Sequence, residues 1–173
     1  MRLLKFSSIK RQYREYYKQF YLSGKVPLKD TKLGMWGVSS ADDVFEIFKK
    51  LAVNGKFMDL GSGDGKVVMI ASLFCDSVSG IECDDELVKK SQEFALNLKI
   101  DANFMCDDYM NLNLSGYNWL FVNPDQELDK LEKKFVKELS GKVIVYSNLY
   151  FLKNMKIEKE FEISGIKVRV YSK

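Results

Sequence analysis

Histidine is absent from the 173 residues of this chain. That removes histidine-dependent hydrolases and proteases, and any metal site built on imidazole. Cysteine is scarce: Cys75, Cys83 and Cys106 are odd in number, widely spaced, and form no Cys-x-x-Cys unit. They read as thiols of a reducing compartment, and an all-cysteine zinc site would lack its fourth ligand. Long apolar runs are missing as well. The longest, Val67 to Cys75 and Leu149 to Leu152, fall far short of the roughly 20 residues a membrane helix needs. The opening Met1-Arg2-Leu3-Leu4-Lys5 carries no apolar segment followed by a small-residue cleavage site. The expectation is a cytoplasmic monomer with no metal and no membrane partner. Its chemistry must run on carboxylates, amides, hydroxyls, Lys, Tyr or a bound cofactor.

What is present suits one globular domain, with 46% apolar and 29% charged residues. The net charge of +3 conceals an asymmetry. Residues 1–32 hold nine Lys and Arg against Glu15 and Asp30, while the remainder holds 18 basic and 22 acidic side chains. Tyr13, Tyr16, Tyr17, Phe20 and Tyr21 interleave with the basic residues. Such a segment can grip a nucleic acid or an acidic protein surface, or it can be a solvated helix packing its tyrosines on the domain.

The pattern along the chain predicts a helix over 8–22, ended by Gly24 and Pro27, then a loop to about Gly37. Ser39 or Ser40 caps a second helix, whose Val44, Ile47, Phe48 and Leu51 form an apolar stripe. From residue 56 strands alternate with helices. Strands are expected at 56–60, 77–82, 103–106, 117–122 and 142–147, with helices over 66–74, 84–98 and 125–139. Segments 156–163 and 166–171 flank Ser164-Gly165 as an antiparallel hairpin. The expected fold is therefore α/β: a doubly wound, mostly parallel sheet of seven strands with a carboxyl-terminal antiparallel hairpin, flanked by helices. Residues 1–34 form a basic helix and linker, and residues 35–173 the domain proper.

The strongest local signal is Phe57-Met58-Asp59-Leu60-Gly61-Ser62-Gly63-Asp64-Gly65, a glycine-rich turn between a strand and a helix. It is not a dinucleotide fingerprint, because Lys66 stands where the third glycine belongs, and no Gly-Lys-Ser/Thr phosphate loop is present. Asp59 and Asp64 would repel a pyrophosphate but suit a ligand bearing an ammonium and a sulfonium. S-adenosylmethionine is such a ligand. Glu82 follows Gly61 by 21 residues, at the end of the next strand, where it can accept bonds from both ribose hydroxyls. Asp107, in Met105-Cys106-Asp107-Asp108-Tyr109, can receive an adenine amino group, with Met105 or Tyr109 packing on the ring. Cys83 and Asp108, which follow the two acids, complete the expected cofactor set, together with Gly61, Ser62, Gly63 and Gly65. Trp36, between Gly34 and Gly37, can close over the cofactor from the preceding loop, or simply pack that loop.

Residues 57–123 resemble the cofactor half of class I S-adenosylmethionine-dependent methyltransferases, in the Asp-Leu-Gly-Ser-Gly-Asp-Gly loop, the two acids and the Asn123-Pro124 after the fourth strand. The loop is similar to that of small single-domain protein-lysine methyltransferases, which implies a protein substrate and a lysine acceptor. Enzymes that methylate amino groups of bases or glutamine resemble Asn-Pro-Pro-Tyr at Asn123-Pro124-Asp125-Gln126. Here the amine-binding Asn123 and Pro124 remain and the stacking aromatic is gone. Asn123, Pro124 and Tyr150 are the residues expected to position the acceptor. An RNA or DNA base methyltransferase, its nucleic acid held by the basic amino-terminal segment, and a non-catalytic Rossmann-like module are the alternative readings.

Overall fold

The computed structural model describes residues 2–173. A long helix, α1 (Arg2–Leu22), leads into a small antiparallel ribbon of β1 (Leu28–Asp30) and β2 (Met35–Gly37). Helix α2 (Ala41–Leu51) follows, and then β3 (Lys56–Leu60), α3 (Lys66–Ala71), β4 (Ser77–Glu82), α4 (Asp85–Leu98) and β5 (Asn103–Cys106). The second half holds β6 (Trp119–Val122), α5 (Asp129–Glu138), β7 (Lys142–Tyr146), β8 (Lys156–Ile163) and β9 (Ile166–Ser172). Seven strands form one sheet in the order β5-β4-β3-β6-β7-β9-β8. The first five in that order run parallel, and β9 enters antiparallel between β7 and β8. No helix among the described residues is long and apolar enough to cross a membrane.

Period-two alternation in the strands builds two apolar layers. In β3, Phe57 joins one layer, and Met58 and Leu60 the other; in β7, Ile144 and Tyr146 oppose Val143 and Val145. Both faces are covered, which is why these strands read as continuous apolar runs. The first layer seats α1, α2, α3 and α4 through Ile9, Phe48, Val68 and Phe94; the second seats α5 through Leu131 and Phe135. Local chemistry fixes the helix ends. The Ser40 hydroxyl accepts from the Asp43 amide, the Asp84 carboxylate accepts from the Leu87 amide, and α2 stops at Ala52 in the left-handed conformation.

Three segments differ from the sequence expectation. Helix α1 starts at Arg2 rather than near residue 8, because Phe6 and Ile9 bury in the first layer, with Phe6 stacked 4.2 Å from Phe45. The expected loop before Gly37 contains the β1–β2 ribbon. Helix α5 begins at Asp129, not Asp125, because Asp125 and Gln126 are bonded to that ribbon. The order of strands reverses between β3 and β6, so the crevice beyond their carboxyl ends is the topological switch point where such sheets bind ligands.

Candidate cofactor pocket

The turn from β3 into α3 is wired to β4. The amides of Gly61 and Ser62 both donate to the Ile81 carbonyl at 2.9 Å, and the Gly63 amide donates to Glu82 Oε2 at 3.0 Å. The other carboxylate oxygen of Glu82 accepts from the Asp84 amide at 3.0 Å, so the side chain is held at the end of β4. Gly63 and Gly65 both sit at positive φ, 53° and 79°, where a side chain would be strained. A Cβ at Gly63 would also overlap the Trp36 indole, and one at Gly65 would meet Phe104 and Ser91.

Asp59, near the end of β3, is only 3% exposed, and what exposure its carboxylate keeps is to the cavity it lines. Burial pushes its carboxyl well above the usual carboxylate range, and the neighbouring charges of Glu82 and Asp64 push it further. Such a group is satisfied by a cation that enters with its own donors. Asp64 is differently placed. Its carboxylate accepts from the Tyr17 hydroxyl at 2.5 Å, and its carbonyl accepts from the Tyr13 hydroxyl at 2.8 Å. Burial raises the Asp64 carboxyl, while the Lys66 charge and the Tyr17 bond oppose that rise. Asp64 therefore ties the glycine loop to α1. The sequence could not supply those partners, which lie 51 and 47 residues away.

The cavity beyond these strands measures about 270 Å³. Its floor carries Asp59, Gly61, Ser62, Gly63 and Asp64, and its sides carry Glu82, Cys83, Asp107, Asp108, Asn123 and Pro124. Trp36 lines it from above. Asp107 Oδ1 accepts from the Asp108 amide and from Asn111, while the Asp108 side chain accepts from the Met110 amide to start a short 3-10 turn at Tyr109–Asn111. Tyr109 also faces the cavity. Two expected residues lie elsewhere: Gly65 backs onto Phe104, and Tyr150 packs on the second apolar layer with its amide bonded to Ser147. No group of three or more His, Cys, Asp or Glu side chains is placed to hold a metal ion among the described residues.

The β1–β2 ribbon is the part of the pocket that sequence reasoning missed. It crosses the mouth as a strap. At one end Lys29 pairs with Asp84 at 2.8 Å and Glu86 at 2.6 Å, beside the end of β4. At the other, the Met35 amide donates to Asp125 Oδ2 at 2.5 Å and Gln126 donates to the Leu33 carbonyl at 2.9 Å. Asn123 donates to the Ser39 hydroxyl at 3.1 Å just beyond the strap. Asp125 and Gln126, the two positions that depart from Asn-Pro-Pro-Tyr, thus serve as the latch. The only sequence signal was Trp36 between two glycines.

No family model matches the sequence, and no curated protein matches it. Solved structures do match. An RNA methyltransferase from Salinibacter ruber, in complex with S-adenosyl-L-homocysteine, superposes with a TM-score of 0.67 at 24% identity, over 78% of this chain and 92% of that one. This chain has the class I methyltransferase fold. An Escherichia coli protein described as a methyltransferase gives 0.62 at 21% identity, over 79% and 90% of the two chains. The ribosomal protein L11 methylase of Lactobacillus delbrueckii subsp. bulgaricus gives 0.60 at 14%, over 79% and 80%. At these identities the fold is what is shared, and the pocket described above occupies the switch point of that fold.

Proposed function

We propose that the protein is an S-adenosylmethionine-dependent methyltransferase. The observation that carries the reading is Asp59: a largely buried carboxyl beside Glu82, lining a cavity beneath a glycine turn that runs at positive φ. Asp59 fits the ligand's ammonium, Glu82 its ribose hydroxyls, and the free oxygen of Asp107 its adenine amino group, with Tyr109 against the ring. When bound, S-adenosylmethionine supplies a methyl group already activated on a sulfonium. The chain's own part is then positioning and exclusion of water. Trp36 and the strap close the mouth, and Asn123 with the Pro124 carbonyl offers acceptors to an incoming amine.

The sequence placed a protein lysine first as acceptor, and nothing found since supports that choice. The glycine loop on which it rested belongs to a fold shared by proteins named for RNA and for ribosomal protein methylation. The groove beside the mouth carries the exposed cations Arg14 and Lys18, which repel a lysine-bearing acceptor. An amine on a nucleic acid base is the better match to that surface.

Thermal melts test the cofactor. At a concentration a hundred times its Kd, a ligand stabilises by about 2.7 kcal/mol, which for a chain of this size raises Tm by roughly 5–10 °C. S-adenosylmethionine and its demethylated product are both expected to do so, and NAD to do nothing. A shift with NAD and none with the other two would overturn the reading.

A further inference from the structure

Beside the cofactor cavity lies a second one of about 520 Å³, and none of the residues assigned to the cofactor lines it. One wall is α1, the other Val38, Ser39, Ala41 and Lys66. Helix α1 presents two parallel rows to it. Tyr13, Tyr17 and Tyr21 recur every four residues, and Lys10, Arg14 and Lys18 recur every four residues beside them. We propose that this groove binds a single-stranded polynucleotide and delivers one of its bases to the cofactor cavity. The proposal rests on the methyltransferase reading for the fate of that base, and on the groove alone for binding.

Charge points to a polyanion. Arg14 and Lys18 are exposed and make no ion pair among the described residues, although Lys10 pairs with Asp42 at 2.7 Å. Lys66 is 5% exposed, and its ammonium also pairs with no carboxylate; it rests 4.6 Å from the centre of the Tyr17 ring. Its location is at the junction, because Lys66, Val38 and Ser39 line both cavities.

The aromatic row points to unpaired bases rather than to a duplex. Tyr21 is 60% exposed at the open end of the groove, a free face for stacking, while Tyr17 and Tyr13 form its floor. An acidic peptide would satisfy the cations but leave the exposed Tyr21 face unused. The path onward is short. Ser39, shared by both cavities, accepts the hydrogen bond of Asn123, so a base leaving the groove meets the amine-binding loop after passing one side chain. The cationic row spans about 12 Å at the rise of an α-helix, which suits a few successive phosphates.

Fluorescence anisotropy with a short labelled single-stranded RNA of mixed sequence tests this on the full chain. If three phosphates are neutralised, the logarithm of the association constant falls against that of salt with a slope of about −2. Arg14→Glu combined with Lys18→Glu is expected to weaken binding roughly tenfold or more and to flatten that slope by about 1.4, the share of two contacts in three. Tyr21→Ala is expected to weaken it at least about fivefold by loss of stacking. Single-stranded DNA of the same sequence should bind about as well, since the groove reads phosphate and base faces. The overturning results are RNA binding insensitive to all three substitutions, no RNA binding by the wild type, or tighter binding of duplex RNA or of a polyglutamate peptide. Titration of S-adenosylmethionine into the same variants keeps the two readings apart. Cofactor binding with RNA binding unmoved by the substitutions sinks the groove alone. RNA binding that follows the substitutions in a protein that takes no cofactor leaves the groove standing and sinks the methyltransferase.

Discussion

Asp59 illustrates how one residue can trade stability for binding. Its carboxyl is raised by burial first and by Glu82 and Asp64 next, so the native state binds its proton more tightly than the unfolded chain does. Below the unfolded pKa of about 3.9 both states are protonated and the burial is neutral. As pH rises above that value toward the folded pKa, the unfolded state ionises first and stability is lost. Asp59→Asn removes this loss. The variant is expected to melt above the wild type at pH 7, with the difference closing below about pH 4, while cofactor affinity falls roughly 10–100-fold for want of a charged acceptor. Melting curves across pH, paired with titrations, check both halves; a variant less stable at neutral pH would refute the assignment of Asp59 as a strained, ligand-ready carboxyl. Tyr17 does the opposite job. Its hydroxyl satisfies Asp64 inside the protein, and Tyr17→Phe is expected to destabilise by about 1–3 kcal/mol in denaturant unfolding, because the partner left behind is buried.

At the scale of elements, the strap decides access. The Asp125 carboxylate accepts the Met35 amide, and a Cβ at Gly34 would run into the same carboxylate, so a side chain there would have to push the latch aside. Asp125→Ala is expected to weaken cofactor binding by about 0.5–1.5 kcal/mol and to speed exchange of the Met35 amide with deuterium. If exchange is unchanged, the strap is held by something other than this bond. Little of this was legible beforehand. The ribbon's strands are three residues each, too short for alternation to emerge, and its partner Asp125 lies 90 residues on. The acid at 125 looked like a helix start because acids usually favour that position; tertiary bonding claimed it instead. By contrast α2 and α4 were legible to within a residue, since capping acts within three residues. Ser40, of the two candidate serines, caps α2, and Asp84 stands as the cap of α4 rather than its first residue.

For the whole molecule, the sheet order follows from burial on both faces. Strands β3, β6 and β7 are apolar throughout their centres, and only a doubly covered parallel sheet can hide them. The terminal hairpin turned as expected at Ser164-Gly165, both at positive φ. Phe135 of α5, fully buried in the second layer, lies away from the pocket. Phe135→Ala is expected to lower unfolding stability by about 3–5 kcal/mol and leave cofactor affinity unchanged in the folded fraction. Of the two readings of the basic segment, the helix packing its tyrosines on the domain is the one seen in α1. The partners themselves, Phe45, Phe94 and Asp64, all lie more than thirty positions away in the chain. The basic helix thereby becomes a wall of the groove beside the cofactor cavity rather than an appendage.

The central claim is that a cation-bearing methyl donor completes the buried acid at the foot of the glycine turn. Isothermal titration of S-adenosylmethionine into the wild type and Asp59→Asn tests it most directly. The expected result is micromolar binding by the wild type and an affinity roughly 10–100-fold lower in the variant, for want of a charged acceptor. Equal affinity in the two proteins, or no binding by the wild type, would contradict it.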